Sequence, residues 1–392
     1  MESIEEFSYI YGAARTPIGK FNGALSTVPA PQLGAVAIRE ALKRSGTPDE
    51  KISEVIMGNA ISAGIGQAPA RQAAIKSGLP YSVGATTVNK VCGSGLKAVM
   101  LAHDAIRLKQ AGFVVAGGME NMSLAPFLLP DIRKGHRMGD VKLIDCMVHD
   151  GLWDSFGNCH MGEISEKLAW EDKYSRSAQD RFALESYRRA RKAQDNCALA
   201  GEIVGVPVFI RGEQVLVSKD EQPYAHDLEK ISELRPAFVK DSGTITAENA
   251  SKVNDGAAAL VLGPYDESLK PMARVVVHAT HSEHPDQYPV APVGAIEKLL
   301  KKWGISKDQV DLFEINEAFA VVVLAISDRL GLDLDRVNVN GGAVALGHPI
   351  GASGARILVT LLYALMARNL KKGVAALCVG GGEAVAIGVE MM

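Results

Sequence analysis

The sequence predicts an α/β fold built from two similar halves, and three observations carry that expectation. Apolar strand-like and amphipathic helix-like segments alternate over the first 120 residues, the alternation returns after residue 273, and motifs of the first stretch reappear in the second. Such alternation predicts a mostly parallel sheet covered by helices.

In the first half, helical patterns cover 35–45 and 96–111, and apolar strand patterns cover 54–58 and 112–117. From about 121 to 249 the texture turns polar and insertion-like. Arg133, Lys134, His136, Arg137 and Asp140 mark an exposed loop, and 163–193 is one charged helical stretch. The alternating segments then resume at 275–279, 294–303, 311–315, 318–330, 336–340, 354–368 and 374–379. Val88-Asn89 followed by GSGLKAV recurs as Val339-Asn340 followed by GASGARI, with Gly95 matching Gly354. VVAGGME recurs as LCVGGGEA, with Gly117 matching Gly381. Two echoes in the same order point to a duplicated half.

Composition narrows the class. A chain of 392 residues holds two or three packed units, and 47% hydrophobic with 22% charged residues excludes wholesale disorder. The formal charge of −3 gives no basic field for nucleic acid or anionic lipid, so neither is expected as a partner. No uncharged apolar run reaches about 18 residues, so no membrane span is expected. The first residues, MESIEEFSYIYGAARTP, are acidic and show no leader pattern, which sets a cytoplasmic expectation. Glycine is the outlier: 39 residues without fibre periodicity mark tight turns and close backbone approaches.

The five cysteines, Cys92, Cys146, Cys159, Cys197 and Cys378, are odd in number and contain no C-x-x-C. That excludes a disulfide framework and a structural zinc site, and leaves thiols. Two glycine motifs are set aside. Residues 12–20 resemble a phosphate loop, but Phe21 stands where Ser or Thr is required, and 93–98 fit a dinucleotide loop without the acidic residue that should follow.

In VNKVCGSGLKA, Cys92 falls where a strand turns into a helix. A thiol there feels the positive end of the helix dipole and is expected to have a lowered pKa, as a nucleophile needs. The alternative is a small buried hydrophobe. His348, in NGGAVALGHPIGASGAR, lies in a Gly/Pro loop before a helix, suited to proton transfer or oxyanion stabilisation, or else to capping a turn. Cys378 precedes Gly380-Gly381-Gly382, a second turn whose N–H groups can approach a ligand. Asn316 in NEAFA reads equally as a helix N-cap or a catalytic residue, and His160 is similarly open. His278, His281 and His284 are expected in a solvated loop, since Pro285, Pro289 and Pro292 exclude a helix-borne metal site. Cys146, Cys159 and Cys197 are expected to pack.

The blocks VNKVCGSGLKA, VAGGMENMS, TITAENASKVNDGAAA, NEAFA, GGAVALGHPIGASGAR and CVGGGEA, in this order and over essentially the whole chain, resemble the thiolase family. The resemblance implies duplicated βαβαβαββ halves in a five-layer α/β/α/β/α arrangement, with an inserted loop domain. It divides the chain into 1–120 plus about 250–270, a loop domain at 121–249 serving coenzyme A binding and tetramerisation, and 271–392. It implies a homodimer or homotetramer. The implied reaction is reversible condensation of two acetyl-CoA to acetoacetyl-CoA and coenzyme A. A broad-chain 3-ketoacyl-CoA thiolase of β-oxidation is the alternative, and a carrier of the same fold without catalysis is another class. Coenzyme A would be substrate and product, and no tightly bound cofactor is implied.

Residue by residue, the resemblance makes Cys92 the acylated nucleophile, His348 its base, Cys378 the group that moves the α-proton and Asn316 the holder of an oxyanion-hole water. Main-chain N–H groups of Cys92 and Gly380 form the other oxyanion hole. Leu152, His160, Met161, Ala247, Ser251 and Phe319 would line the pantetheine and acyl pocket. His226 stands where the family often has an Arg beside the adenine. The stretch 284–293 is similar to the mitochondrial acetoacetyl-CoA branch, which accepts a 2-methyl substrate and responds to potassium. That branch is the basis for a mitochondrial alternative in location. Tyr288 replaces its Phe, and its potassium ligands map to Tyr187, Ala247, Glu248, Ala250 and Val344.

Overall fold

The computed structural model describes residues 7–210, 212–225 and 227–392, so His226 lies outside the described residues. Strands β1 (Ser8–Arg15), β2 (Ile52–Gly58), β3 (Gly84–Val88), β4 (Phe113–Asn121), β5 (Asn254–Gly263), β6 (Ala273–Ser282), β7 (Leu312–Ile315), β8 (Lys372–Val379) and β9 (Glu383–Met391) form one path. Their order is β7-β8-β9-β6-β1-β5-β4-β2-β3. Read outward from the central antiparallel pair β1–β6, the two sides mirror each other. On each side the first strand pairs with the last, then the second-last, then the second strand of its half. The missing fourth equivalent is 336–340, expected as a segment of the alternating pattern. It survives as a single parallel bridge, Phe313 to Val337, where β2 and β3 make a full parallel ladder.

The sheet is mixed rather than mostly parallel. The β2–β3, β2–β4 and β7–β8 pairs are parallel, while β5 and β9 return antiparallel beside β4 and β8. The tight Gly380–Gly382 turn accounts for one of these pairs, because a connection that short joins only antiparallel neighbours.

Helices α1 (Ala30–Ser45) and α2 (Pro69–Lys76) cover the outer face of the first half. The other α-helices among the described residues are α3 (Ser94–Arg107), α4 (Met161–Glu171), α5 (Arg176–Asp195), α6 (Ala291–Trp303), α7 (Ala320–Leu330), α8 (Ala343–Leu346) and α9 (Ile350–Ala367). Along β4, Val114 and Ala116 face α3 and α9, while Phe113, Val115 and Met119 face α1 and α2. Burial on both faces explains why this strand reads as an unbroken apolar run. In the second half α6 and α7 pack on the face opposite α9. The two sides of the strand path therefore form separate layers, giving helix, sheet, helix, sheet, helix, with α3 and α9 in the middle.

The glycines matched between halves meet there. A Cβ on Gly354 would lie 2.4 Å from the Leu96 nitrogen, and one on Gly95 would lie 2.8 Å from the Ala355 nitrogen. Backbone cannot yield at those distances, so α3 and α9 cross as closely as they do only with glycine at both positions. Helix α9 is long and apolar enough to cross a membrane by length and composition, yet 83% of it is buried in this central layer.

The charged stretch 163–193 is two helices, α4 and α5, because Ser175 caps the second by accepting from the Ala178 N–H.

Candidate active site

The strand-to-helix turn before α3 is strained. Val91 sits at φ 45°, where a β-branched residue costs on the order of 1–3 kcal/mol. Short polar side chains hold it there. Asn89 Oδ1 accepts from the Val91 N–H at 3.0 Å, and Ser94 Oγ accepts from the Lys90 N–H at 2.8 Å while donating to the Val91 carbonyl. The Lys90 ammonium is tied to Glu383, beside the Gly380–Gly382 turn, at 2.6 Å. The result presents Cys92, half-buried, one residue before the cap of α3.

Cys92, Cys378, His348 and Gly380 share one cavity of about 230 Å³. Leu152, His160, Met161, Ser251, Tyr288 and Phe319, all placed in the pocket by resemblance, line it too. Asn316 and Ala247 are not on its wall, although Ala318, Phe319 and Ala250 beside them are. Asn316 is nevertheless informative. It does not cap α7, which begins at Ala320, and it is fully buried with neither side-chain atom hydrogen-bonded. A buried amide without a partner is costly, which sets Asn316 apart from the packed residues around it.

His348 shows the same signature. Its Nε2 is buried without a partner, and its Nδ1 lies 2.6 Å from Ser353 Oγ. Ser353 has one proton and gives it to the Pro349 carbonyl at 2.9 Å. The hydrogen-bond network therefore assigns the imidazole proton to Nδ1 and leaves Nε2 a lone-pair base. Burial, helped by Arg356, pushes the His348 pKa down to about 3, so the ring is neutral. Its main-chain N–H is held by the Lys252 carbonyl at 3.1 Å and Asn254 Oδ1 at 3.2 Å. Gly347, at φ 110°, allows that approach: a Cβ there would meet the Asn254 side chain at 2.3 Å.

The expected lowering of the Cys92 pKa is reversed. Burial pushes its thiol up to about 11, and the Gly380 N–H aimed at the sulfur only partly offsets this. A single set of helix N–H groups does not outweigh desolvation of a thiolate in an apolar cavity. Cys378 is raised further, first by burial and then by Cys92. The resting site thus holds two neutral thiols and a neutral imidazole. Alkylation of free Cys92 by iodoacetamide is expected to rise about tenfold per pH unit from 7 to 9, following the thiolate fraction. Peptide mapping of the rates checks this, and a plateau below pH 8 would show a preformed thiolate instead.

The walls are built by local structure. His160 forms a capping box with Glu163 at the start of α4: its Nδ1 accepts from the Gly162 N–H, and its ring stacks on Phe238 at 4.7 Å. The Tyr288 hydroxyl donates to the Met161 carbonyl at 2.8 Å and pairs with Ser165 at 2.7 Å, which anchors it to α4.

Residues missed in the sequence complete the frame. Glu120, fully buried and pushed up to about 7, accepts from the N–H groups of Ala60, Ile61 and Gly351 and from the Asn59 amide. It stitches the first half to the start of α9, next to His348. The only hint of it in the sequence is a carboxylate ending the apolar run 113–119.

Most of the residues expected to ligate potassium do converge, but around a lysine. Lys252 Nζ donates to the Ala250 carbonyl at 3.0 Å and the Val344 carbonyl at 3.3 Å. It pairs with Glu248 at 3.3 Å and lies 5.3 Å over the Tyr187 ring. An ammonium in this position leaves no place for a second cation, so these residues do not fit potassium. Burial pushes the Lys252 pKa down to about 8, opposed by Glu248, so the amine is charged at neutral pH.

Two other expectations also change. His278 and His281 lie in β6, not in a solvated loop, with His278 paired to Asp104 at 2.8 Å. Cys197 is exposed rather than packed.

Comparison with known proteins agrees with this geometry. The thiolase N-terminal domain model matches residues 8–266 and the thiolase C-terminal domain model residues 269–391. The chain is 51% identical to the acetyl-CoA acetyltransferase of Cupriavidus necator, over 97% of this chain and 98% of that one. It is 49% identical to the acetyl-CoA acetyltransferase of Escherichia coli, over 98% of each. Among solved structures, a thiolase from Ascaris suum in complex with coenzyme A superposes with a TM-score of 0.93 at 45% identity, covering 98% of this chain and all of that one.

Proposed function

This chain belongs to the thiolase family, and on that premise we propose that it is an acetyl-CoA C-acetyltransferase, condensing two acetyl-CoA to acetoacetyl-CoA and coenzyme A or running the reverse thiolysis. The observation that carries the reading is the convergence of two thiols and one unpartnered imidazole nitrogen in a single cavity. Relatives that share the name acetyl-CoA acetyltransferase over nearly full length support it against a broad-chain thiolase.

The residues suit each step. His348 Nε2 takes the Cys92 proton as the thiolate attacks the acetyl-CoA carbonyl, and the N–H groups of Cys92 and Gly380 receive the oxyanion. Such donors contribute about 3 kcal/mol each in a water-poor site. The departing coenzyme A thiolate takes the Cys378 proton, leaving acetyl-Cys92, a Cys378 thiolate and an imidazolium. That thiolate, made strongly basic by burial, removes the α-proton of the second acetyl-CoA. The enolate oxygen meets Nε2–H of His348 and a water held by Asn316. The enolate carbon then attacks acetyl-Cys92, and the expelled Cys92 thiolate regains its proton from His348. Protons and bonds balance, and the acyl-enzyme divides the reaction into two halves.

The cavity holds only about 230 Å³ and is walled in part by Leu152, Met161, Tyr288 and Phe319, which supports a short acyl group. Turnover of the C4 3-ketoacyl-CoA is expected to exceed that of the C10 homologue by at least about tenfold in kcat/KM. Equal turnover would return the broad-chain reading. A homo-oligomer belongs to the same proposal. What supports it is β3 as a partly exposed edge strand, together with exposed Leu124, Phe127, Met138 and Leu143 in the loop segment.

A further inference from the structure

The resemblance carried an expectation of a potassium site, and the structure puts an amine of the chain in its place. Lys252 is the one lysine or arginine among the described residues lining the cavity. Its Nζ does not enter the cavity as a free charge, because it is bonded to two main-chain carbonyls, a carboxylate and an aromatic face. Those carbonyls belong to Ala250 and to Val344 in α8, the Tyr187 ring belongs to α5, and Glu248 is tied to Tyr187 through a 2.6 Å hydroxyl bond. Carbonyl oxygens with an adjacent carboxylate are a hard-cation ligand set. Here a primary ammonium satisfies it.

Two further facts show what this cation holds. The Lys252 main-chain carbonyl accepts the His348 N–H, so the same residue grips the 344–348 segment at both ends, through Nζ at Val344 and through its carbonyl at His348. Glu248 is only 5% exposed, and a buried carboxylate without a cation would cost several kcal/mol. The Lys252 ammonium supplies a charge that Glu248 needs, in the position an added ion would take.

We propose that Lys252 is a resident cation that positions the His348 loop, replacing a bound alkali ion and making the enzyme independent of potassium. It acts through His348 and touches no reacting atom, so it is a positioning residue. The proposal rests on the acetyltransferase reading for its kinetic test, and a binding measurement tests it separately.

In wild-type protein, exchanging potassium chloride for choline chloride at equal ionic strength is expected to change acetoacetyl-CoA thiolysis by less than about twofold and to leave the melting temperature unchanged. In Lys252→Ala, kcat in choline buffer is expected to fall at least about tenfold, with KM changed less than about threefold. Potassium or ammonium chloride should restore most of that loss and should raise the variant's melting temperature, because a cation can enter the space the amine left. Wild-type activity or melting temperature that depends on potassium would overturn the proposal. So would a Lys252→Ala variant that keeps full kcat, or one that no cation rescues or stabilises. If neither form turns over acyl-CoA, the functional reading fails, while the melting comparison still decides the cation site.

Discussion

Cys92→Ser is expected to lower kcat for acetoacetyl-CoA formation by at least about 10³-fold, equivalent to about 4 kcal/mol of lost transition-state stabilisation. The reason lies in the resting protonation states. With the Cys92 thiol near 11 and His348 near 3, proton transfer from sulfur to nitrogen is already uphill and proceeds only as the thioester is attacked. A hydroxyl is several units less acidic than a thiol, and His348 has no further basicity to offer. The substitution removes no packing, so the melting temperature should stay within a few degrees. Peptide mapping after incubation with acetyl-CoA should find the acetyl group on Cys92 in the wild type and on no residue in the variant. Label on another residue, or activity within tenfold of wild type, would sink the proposed mechanism.

Cys378→Ala is expected to separate the two half-reactions. Condensation should fall by about 10³-fold or more, because no other group in the cavity is placed to take the α-proton. Cys92 should still become acetylated, more slowly, since the leaving coenzyme A thiolate must find its proton elsewhere. A rapid-quench experiment would show one burst of released coenzyme A per site and then almost no turnover. Loss of the burst as well would assign Cys378 a structural part. Sustained turnover would remove it from the mechanism.

Legibility in the sequence followed the physics of each feature. The duplication could be read because the close crossing of α3 and α9 demands glycine at both Gly95 and Gly354, and a glycine leaves a mark at a fixed place. Of the strands buried on both faces, β4 is legible in the apolar run 112–117, while β5 hides among alanines that suit helix as well as strand. The segment 336–340 failed as a strand because it closes an edge with one bridge only, which periodicity cannot reveal. The sheet is mixed where alternation predicts a mostly parallel one, because alternation of elements does not say which neighbour a strand joins.

The site divides in the same way. Cys92 and His348 stand out because each sits in a glycine-rich turn where a packed core has no need for a thiol or an imidazole, and Cys378 because it lies at the end of a strand that runs directly into Gly380–Gly382. Glu120, Ser353 and Lys252 do not stand out: Glu120 and Lys252 act through partners distant in sequence, and Ser353, though only five residues from His348, reads as an ordinary residue of α9 until its hydrogen bonds are seen. Glu120 holds Gly351, and Lys252 holds Val344. The sequence alone determined the family and the glycine-rich surroundings of Cys92, His348 and Cys378, because those are matters of residue type and local backbone. Tertiary structure alone decided the protonation states, the free Nε2 and the amine in the cation site. Burial and the direction of each hydrogen bond belong to surroundings assembled from both halves of the chain, and no local stretch of sequence contains them.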